Sequence, residues 1–519
     1  MREHSVPALV KLADDDNLVN VVYEKAVSRA ESPVLSRKTA DGWQDVSYGE
    51  FGALVHGLAK GLLAAGINAG DRVLIFGRTS VEWSAADFAL LSVGAVVVPV
   101  YPTASAEQVR HIVADSGPVA CFAETAEQTE LVGVRSWLLG SLDELISLGA
   151  GVPDALAGKR RGEVRADDLA TIVYTSGTTG LPKGCMLTHR NIFAAAANVV
   201  ELLDTLFRAP DASTLLFLPL AHVYGRVVQF GCVWSGVHTG LVTSAADLVG
   251  ELPAFRPTFL VGVPYVLEKI RKAARALTAE QVRGMLGGRL SYVIAGGASL
   301  EPSTADYFTE LGVQIIGAYG LTEASSTVSM SAPGAIRRGA VGRPVPGTTI
   351  AIADDGEILV QGDQVYPGYW PDGGREEWLA TGDLGRLDDD GFLHITGRRK
   401  EILVTSGGKN VAPAPLEDRV RLHPLVANCM LVGEARPYVA ALITLDAAAA
   451  GLDDERVRAE ISSAVDAANE LVSRAESIRR FAILPEDFTV EKGHMTASLR
   501  LRRAEIERDY ADTIESLYS

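Results

Sequence analysis

The feature that most constrains this chain is a repeated switch between short β-branched runs and longer Ala/Leu-rich stretches. Arg72-Val73-Leu74-Ile75-Phe76 precedes a helical pattern over residues 82–92, and Ala95-Val96-Val97-Val98-Pro99-Val100 precedes another over 106–115. A short run apolar on both faces followed by a helical segment predicts parallel βαβ units, and hence an α/β fold. The pattern recurs at 214–218, 258–263, 291–295 and 314–316. Between Gly342 and Thr396 it gives way to short strands and turns such as Asp354-Asp355-Gly356 and Asp389-Asp390-Gly391, which predicts an antiparallel or barrel-like section. Residues 149–168 read as a loop or connection. The chain after Arg399 reads as a separate tail, with Ala-rich helices around 454–476 and a basic cluster at 500–503. The expected division is therefore 1–399 and 400–519.

Composition excludes several classes. The 519 residues carry 65 acidic against 48 basic side chains, a net charge of −17, the wrong sign for general affinity to nucleic acid or anionic lipid. A phosphate-bearing ligand must therefore find a local site. The N-terminal residues lack an apolar core of signal-peptide length, and the uncharged apolar run 88–101 is too short to span a bilayer, so a cytoplasmic protein without integral membrane association is expected. The four cysteines, Cys121, Cys185, Cys232 and Cys429, stand apart without metal-ligand spacing and read as buried free thiols.

The densest chemical signal is Tyr174-Thr175-Ser176-Gly177-Thr178-Thr179-Gly180-Leu181-Pro182-Lys183-Gly184, just after the strand-like 169–173. Its three glycines permit a turn that side chains would block. Four hydroxyls and free backbone N–H groups can surround phosphate oxygens, and Lys183 adds positive charge. The order differs from a P-loop, because no Ser or Thr follows the lysine. Three or four such residues would be an ordinary loop; eleven in this order read as a polyphosphate cradle.

This cradle resembles the signature loop of the adenylate-forming superfamily of acyl-CoA synthetases, adenylation domains and luciferases. Other blocks agree in order over about residues 40–519. Ala318-Tyr319-Gly320-Leu321-Thr322-Glu323 resembles the adenine and Mg²⁺ block, and Thr381-Gly382-Asp383 the ribose block. Gly397-Arg398-Arg399-Lys400 resembles the hinge, and 406–413, with Gly408 and Lys409, the loop that follows. Val100-Tyr101-Pro102-Thr103, Leu218-Pro219-Leu220-Ala221-His222-Val223-Tyr224 and the ending Ile514-Glu515-Ser516-Leu517-Tyr518 are similar to bacterial long-chain acyl-CoA synthetases. The resemblance implies a large N-terminal domain of two βα-layered sheets and a small distorted β-barrel, then a small mobile α+β domain turning at Lys400.

It also implies ATP or acyl-AMP, Mg²⁺ and coenzyme A as cofactors, and assigns roles. Thr175, Ser176, Gly177, Thr178, Thr179, Gly180 and Lys183 would hold phosphates; Gly296, Gly297, Ala298, Ala318, Tyr319 and Gly320 would take the base, with Ile395 beside the nucleotide. Glu323 is a hard oxygen ligand for Mg²⁺, with Thr322 adding a hydroxyl. Asp383 accepts the ribose hydroxyls while Arg398 donates to the ribose. His222 falls at the carboxylate end of an acyl pocket shared with Val223, Tyr224, Val228, Gly231, Gly297 and Ala318. The apolar neighbourhood 217–237 suits a hydrophobic carboxylic acid, be it a fatty chain, an aromatic acid or a polycyclic terpenoid acid.

One departure bears on mechanism. In this superfamily a C-terminal lysine neutralises charge developing between substrate carboxylate and α-phosphate, and the carry-over puts Arg500 at that position. Arginine keeps the charge but is planar, bulkier and differently hydrated, and losing one well-placed donor costs about 10²–10³ in rate. Arginine outnumbers lysine 37 to 11 here, so a tolerated replacement is one reading. A second is a half-enzyme that passes an acyl-adenylate, supplied by a separate adenylating ligase, to coenzyme A. A third has the position altered by design, or another residue such as Lys492 serving. A ligase to a carrier protein stays open, since pantetheine is common to both acceptors.

Overall fold

The computed structural model describes residues 2–175, 182–298, 300–374, 376–490, 492–496 and 500–519. Each predicted βαβ segment forms. One six-stranded sheet runs in the order Arg135–Leu138, Ala120–Ala123, Arg72–Phe76, Val96–Val100, Leu169–Thr175, Lys183–Thr188, parallel except for the last pair. A second layer combines Gly42–Ser47, Pro33–Thr39, His238–Leu241 and Ser213–Leu216 with Phe259–Gly262, Tyr292–Ala295, Gln314–Tyr319, Ser329–Met330 and Arg343–Pro344. The two groups join where Thr258 N–H donates to the Ser213 carbonyl at 2.9 Å.

The helix Val81–Ser92 explains how the layers stack. All of its residues except Glu82 are buried, which requires cover on every side. It carries Asp87, whose carboxylate takes two hydrogen bonds from Arg226 of the helix Val223–Ser235, Nη2 at 2.5 Å and Nε at 3.1 Å. The guanidinium also donates from Nη1 to Thr171 Oγ1 at 2.6 Å, and both ionic side chains are about 5% exposed. A buried pair this well bonded fixes one helix against the other.

The region after Gly342 is antiparallel, as its turns predict: Arg2–Val6, Thr348–Ile352, Glu357–Gly362, Leu379–Leu387 and Leu393–Arg398. Leu393 closes this sheet back on the second layer, its N–H donating to Gly342 and its carbonyl accepting from Val341. The C-terminal unit has the strands Val426–Val432, Val439–Leu445 and Ile478–Leu484. The helices Pro413–Arg421 and Asp454–Asn469 cover one face of it, and Arg503–Asp509 and Ala511–Ser516 the other. The fold is thus α/β with a large N-terminal and a smaller C-terminal unit.

Two expectations need correction. Within 149–168, Asp154–Glu163 is a helix; Gly158 and Gly162 disguise it, and Asp154 at its start pairs with Lys60 and His56 of the helix Tyr48–Ala64. The later helix stops at Asn469, short of 476, because the Asn469 amide turns to bond both the N–H and carbonyl of Ile478. The four cysteines are buried free thiols, as read from sequence. Among the described residues no helix is long and apolar enough to cross a membrane.

Removing one member of the buried pair strands a charge. Asp87→Ala should destabilise the protein by about 3–5 kcal/mol, whereas Asp87→Leu with Arg226→Met should cost far less. Denaturation midpoints of the two variants check this, and equal losses would show that packing rather than the ion pair governs the helix contact.

Candidate active site

The cradle is flanked by two antiparallel strands. Thr175 ends one strand, Lys183 opens the next, and the two pair across the ladder; Ser176, Gly177, Thr178, Thr179 and Gly180 lie outside the described residues. The segment around Tyr369 runs along the hairpin, with Trp370 N–H donating to the Gly184 carbonyl at 2.8 Å. Lys183 Nζ therefore stands 5.5 Å from the Tyr369 ring centre. The Tyr369 hydroxyl donates to Glu323 Oε1 at 2.6 Å. Burial and then the Glu323 charge push the Tyr369 phenol well above its usual value, so it stays a donor. Glu323 lies in the 3-10 turn Thr322–Ala324, with Thr322 beside it. Its Oε1 is the oxygen Tyr369 bonds, and the other carboxylate oxygen would fit Mg²⁺, which takes few protein ligands and fills its shell with phosphate and water.

The next turn back lies beneath Tyr319. A Cβ at Gly320 would meet the Ser326 carbonyl oxygen at 1.3 Å, so only glycine lets that loop fold beneath Tyr319. The Tyr319 hydroxyl donates to Asp383 Oδ2 at 2.7 Å, while Arg398, directly opposite Asp383 on the neighbouring strand, brings Nε within 3.5 Å of Oδ1. Burial raises the Asp383 pKa, opposed by Arg398, the Tyr319 bond and Arg500. Ile395 packs in the apolar cluster that includes Tyr319 and Leu321.

Arg500 comes to the same place from the C-terminal unit. Its Nη2 donates to the Gly297 carbonyl at 2.7 Å, just past the strand Tyr292–Ala295. Although the side chain keeps contact with solvent, desolvation and then the Arg398 charge press its pKa downward. His222 caps the helix Val223–Ser235: its Nδ1 accepts from Tyr224 N–H at 3.0 Å, which leaves the proton of a neutral ring on Nε2. Burial, then the charge of Arg500, lower the His222 pKa to about 4, so the ring is neutral near pH 7. Tyr101 stands edge-on to it, ring centres 6.4 Å apart. Gly296 leaves space that a Cβ would take from the Ala318 carbonyl and the Tyr224 hydroxyl, each 3.3 Å away; Ala298, two residues on, is exposed.

Behind Tyr224 lies an apolar cavity of about 30 Å³ between two helices and the second sheet, its wall including Ala196, Val200, Tyr224, Val228, Gly231 and Ile294. His222, Val223, Gly297 and Ala318 are not on that wall. The Tyr224 hydroxyl is buried without a partner among the described residues.

The structure thus brings Arg500, His222, Gly297, Asp383 and Arg398 together, and Glu323 with Lys183. It does not bring Gly408 or Lys409 there: they sit in an exposed turn of the C-terminal unit, where Lys409 pairs with Glu476 at 3.4 Å. Lys400 is exposed in the turn Arg399–Glu401. Lys492 pairs with Glu486 on the surface, so it does not replace the residue at 500. Sequence reasoning missed the role of Tyr369 and the nearness of Tyr101 to the site; only long-range contact reveals either.

A large α/β unit joined to a smaller one that sends a cation back into its crevice is the fold of the adenylate-forming enzymes. The AMP-binding enzyme model matches residues 22–370, and the AMP-binding enzyme C-terminal domain model residues 400–519. A long-chain-fatty-acid–CoA ligase of Mycobacterium bovis is 38% identical over all of both chains. The anthranilate CoA ligase with anthranoyl-AMP has a similar fold, with a TM-score of 0.82 and 21% identity, covering 98% of this chain and 99% of that one. ATP-bound MatB of Rhodopseudomonas palustris gives a TM-score of 0.76 at 25% identity, over 96% and 99%. The chain belongs to the AMP-binding enzyme family and is a ligase.

If Asp383 holds the ribose, Asp383→Ala should weaken AMP binding by about tenfold or more, as loss of a charged hydrogen-bond acceptor does. Calorimetry measures it, and an unchanged dissociation constant would move the nucleotide elsewhere.

Proposed function

We propose that this ligase joins a hydrophobic, long-chain carboxylic acid to coenzyme A through an acyl-adenylate. The observation that carries the reading is the Arg500 cation on the Gly297 carbonyl, near enough to bear on Asp383 of the Asp383–Arg398 pair and one residue from Gly296, which leaves room beside the Tyr224 hydroxyl on the wall of the apolar cavity. A carboxylate beside Gly297 has its head near Arg500 and the neutral His222 ring, and the cavity behind Tyr224, about 30 Å³ as it stands, must widen between its two helices to take a long chain. The 38% identity to a mycobacterial long-chain-fatty-acid–CoA ligase supports the substrate class.

In the adenylating arrangement the hairpin with Thr175 and Lys183 holds phosphates, and Tyr369 orients Glu323. Glu323 would hold Mg²⁺, which would supply positive charge to neutralise the phosphates. Asp383 exchanges its Tyr319 bond for ribose hydroxyls, steadied by Arg398. Arg500 offers positive charge where carboxylate and α-phosphate approach, and His222 donates from Nε2 to the acyl oxygen. For thioester formation the unit 400–519 turns about Lys400, which withdraws Arg500 and presents Gly408 and Lys409 to the thiol. The adenylate is then already activated, and positioning the thiol is the main task.

A second reading has a specific observation behind it. The Arg500 guanidinium spends Nη2 on the Gly297 carbonyl, a bond that competes with the carboxylate and α-phosphate for its donors. That favours a half-enzyme taking its acyl-adenylate from a separate ligase.

Two half-reactions decide. The complete ligase exchanges ATP and pyrophosphate in the presence of a fatty acid and makes the CoA thioester from pre-made acyl-AMP; the half-enzyme does only the second, and failure of both removes the adenylate reading. If the Gly297 bond limits adenylation, Arg500→Lys should increase exchange at least tenfold, about 1.4 kcal/mol, with thioester formation from acyl-AMP nearly unchanged. Thioester transfer to holo carrier protein but not to CoA would change the acceptor.

The cavity makes its own prediction. A Cβ at Gly231 would meet Val200 Cγ2 at 3.3 Å, so Gly231→Leu fills the space between the helices. The KM for long acids should rise by about tenfold, the scale of core overpacking, while that for the shortest acids changes little. Parallel changes for all lengths would place the chain elsewhere.

A further inference from the structure

Arg500 reaches the Gly297 carbonyl from a stretch that pairs antiparallel with residues 494–496, called here the Arg500 hairpin. Thr496 N–H donates to the Arg500 carbonyl at 2.8 Å, Arg500 N–H donates to Thr496 Oγ1 at 3.1 Å, and Arg502 N–H donates to the His494 carbonyl at 2.8 Å. Three residues beyond Arg500, Arg503 opens the helix Arg503–Asp509 and reaches across to Glu417 of the helix Pro413–Arg421. Glu417 is 6% exposed, a carboxylate buried in the C-terminal unit. Its Oε2 accepts from Arg503 Nη2 at 2.6 Å and its Oε1 from Leu431 N–H at 2.6 Å, while Arg503 Nη1 donates to the Leu431 carbonyl at 3.3 Å. Acid and base therefore close around one residue, Leu431, whose N–H and carbonyl are both bonded, and both oxygens of Glu417 are bonded.

The helix that carries Glu417 is also the one that meets the large unit. Arg421 lies 3.5 Å from buried Glu268 and Arg419 3.7 Å from Glu301. Just beyond the helix end, Lys272 Nζ donates to the Val426 carbonyl at 2.7 Å and Arg275 Nη2 to the Leu422 carbonyl at 3.2 Å. One helix thus touches the large unit through Arg419 and Arg421 and the Arg500 hairpin through Glu417.

We propose that Glu417 is a positioning residue for the reaction: with Arg503 it locks the Arg500 hairpin to the helix Pro413–Arg421, so that docking this helix on the large unit delivers the Arg500 guanidinium to Gly297. This rests on the adenylate reading of the site. A buried charge pair costs desolvation, and fixing one geometry is the use such pairs are best known for. Glu417 touches neither nucleotide nor acyl group, so its effect passes through residue 500.

A double-mutant cycle on the full chain tests it, using the affinity of a non-hydrolysable acyl-adenylate analogue, which needs no adenylation. Glu417→Gln should weaken binding about fivefold or more beside Arg500, and add nothing in an Arg500→Ala background, the signature of coupled residues. Arg503→Lys, which keeps charge but loses the fork, should give a smaller loss of the same kind even if Glu417→Gln folds poorly; melting temperatures accompany each variant. Losses by Glu417→Gln or Arg503→Lys that are equal in both backgrounds, or no loss at all, overturn the positioning role. An unmodified chain that fails to bind the analogue overturns the adenylate reading itself.

Discussion

The site depends on one geometric constraint, the common direction of the strands beneath it. Tyr101 follows Val96–Val100, His222 follows Ser213–Leu216 within a few residues, and Gly296 follows Tyr292–Ala295, each just past the carboxyl end of a parallel strand. Parallel pairing puts all such ends on one edge of the layers, where open α/β folds bind their ligands. The Asp87–Arg226 pair keeps the two helices between the layers in step, so His222, at the start of one of them, holds its place relative to both sheets.

The electrostatics follow from this convergence. The chain as a whole carries −17, yet Arg398 and Arg500 come close enough for each to bear on Asp383. Net charge therefore says little about this crevice. Burial raises the Asp383 carboxyl and the two cations oppose that rise; a neutral His222 beside Arg500 adds a donor without adding a third positive charge.

What could be read from sequence was what is contiguous or periodic. The βαβ alternation gave the parallel layers, and the eleven-residue cradle could be read because its residues lie in one stretch, whose flanking residues Thr175 and Lys183 pair. The arrival of Arg500 was readable only through resemblance, since no local pattern says that residue 500 returns to residue 297. The Tyr369–Glu323 bond joins positions 46 apart through two turns and leaves no periodic trace. The helix Asp154–Glu163 was hidden for the opposite reason: its glycines speak locally for a loop, and its contact with the helix Tyr48–Ala64 overrides them. Glu417 leaves no mark in the sequence, because its partners Leu431 and Arg503 lie 14 and 86 positions away.

The four buried cysteines carry a consequence for thioester chemistry. Desolvation pushes every one of their thiols upward, and at Cys185 the nearby Glu323 charge adds to it. Such sulfurs stay protonated and out of reach, and a protonated thiol is a poor nucleophile. An enzyme that handles activated acyl groups beside an incoming thiol gains from having no competing sulfur of its own. The acyl group finds no sulfur on the protein to divert it, and the thiolate it meets is one that arrives from solution.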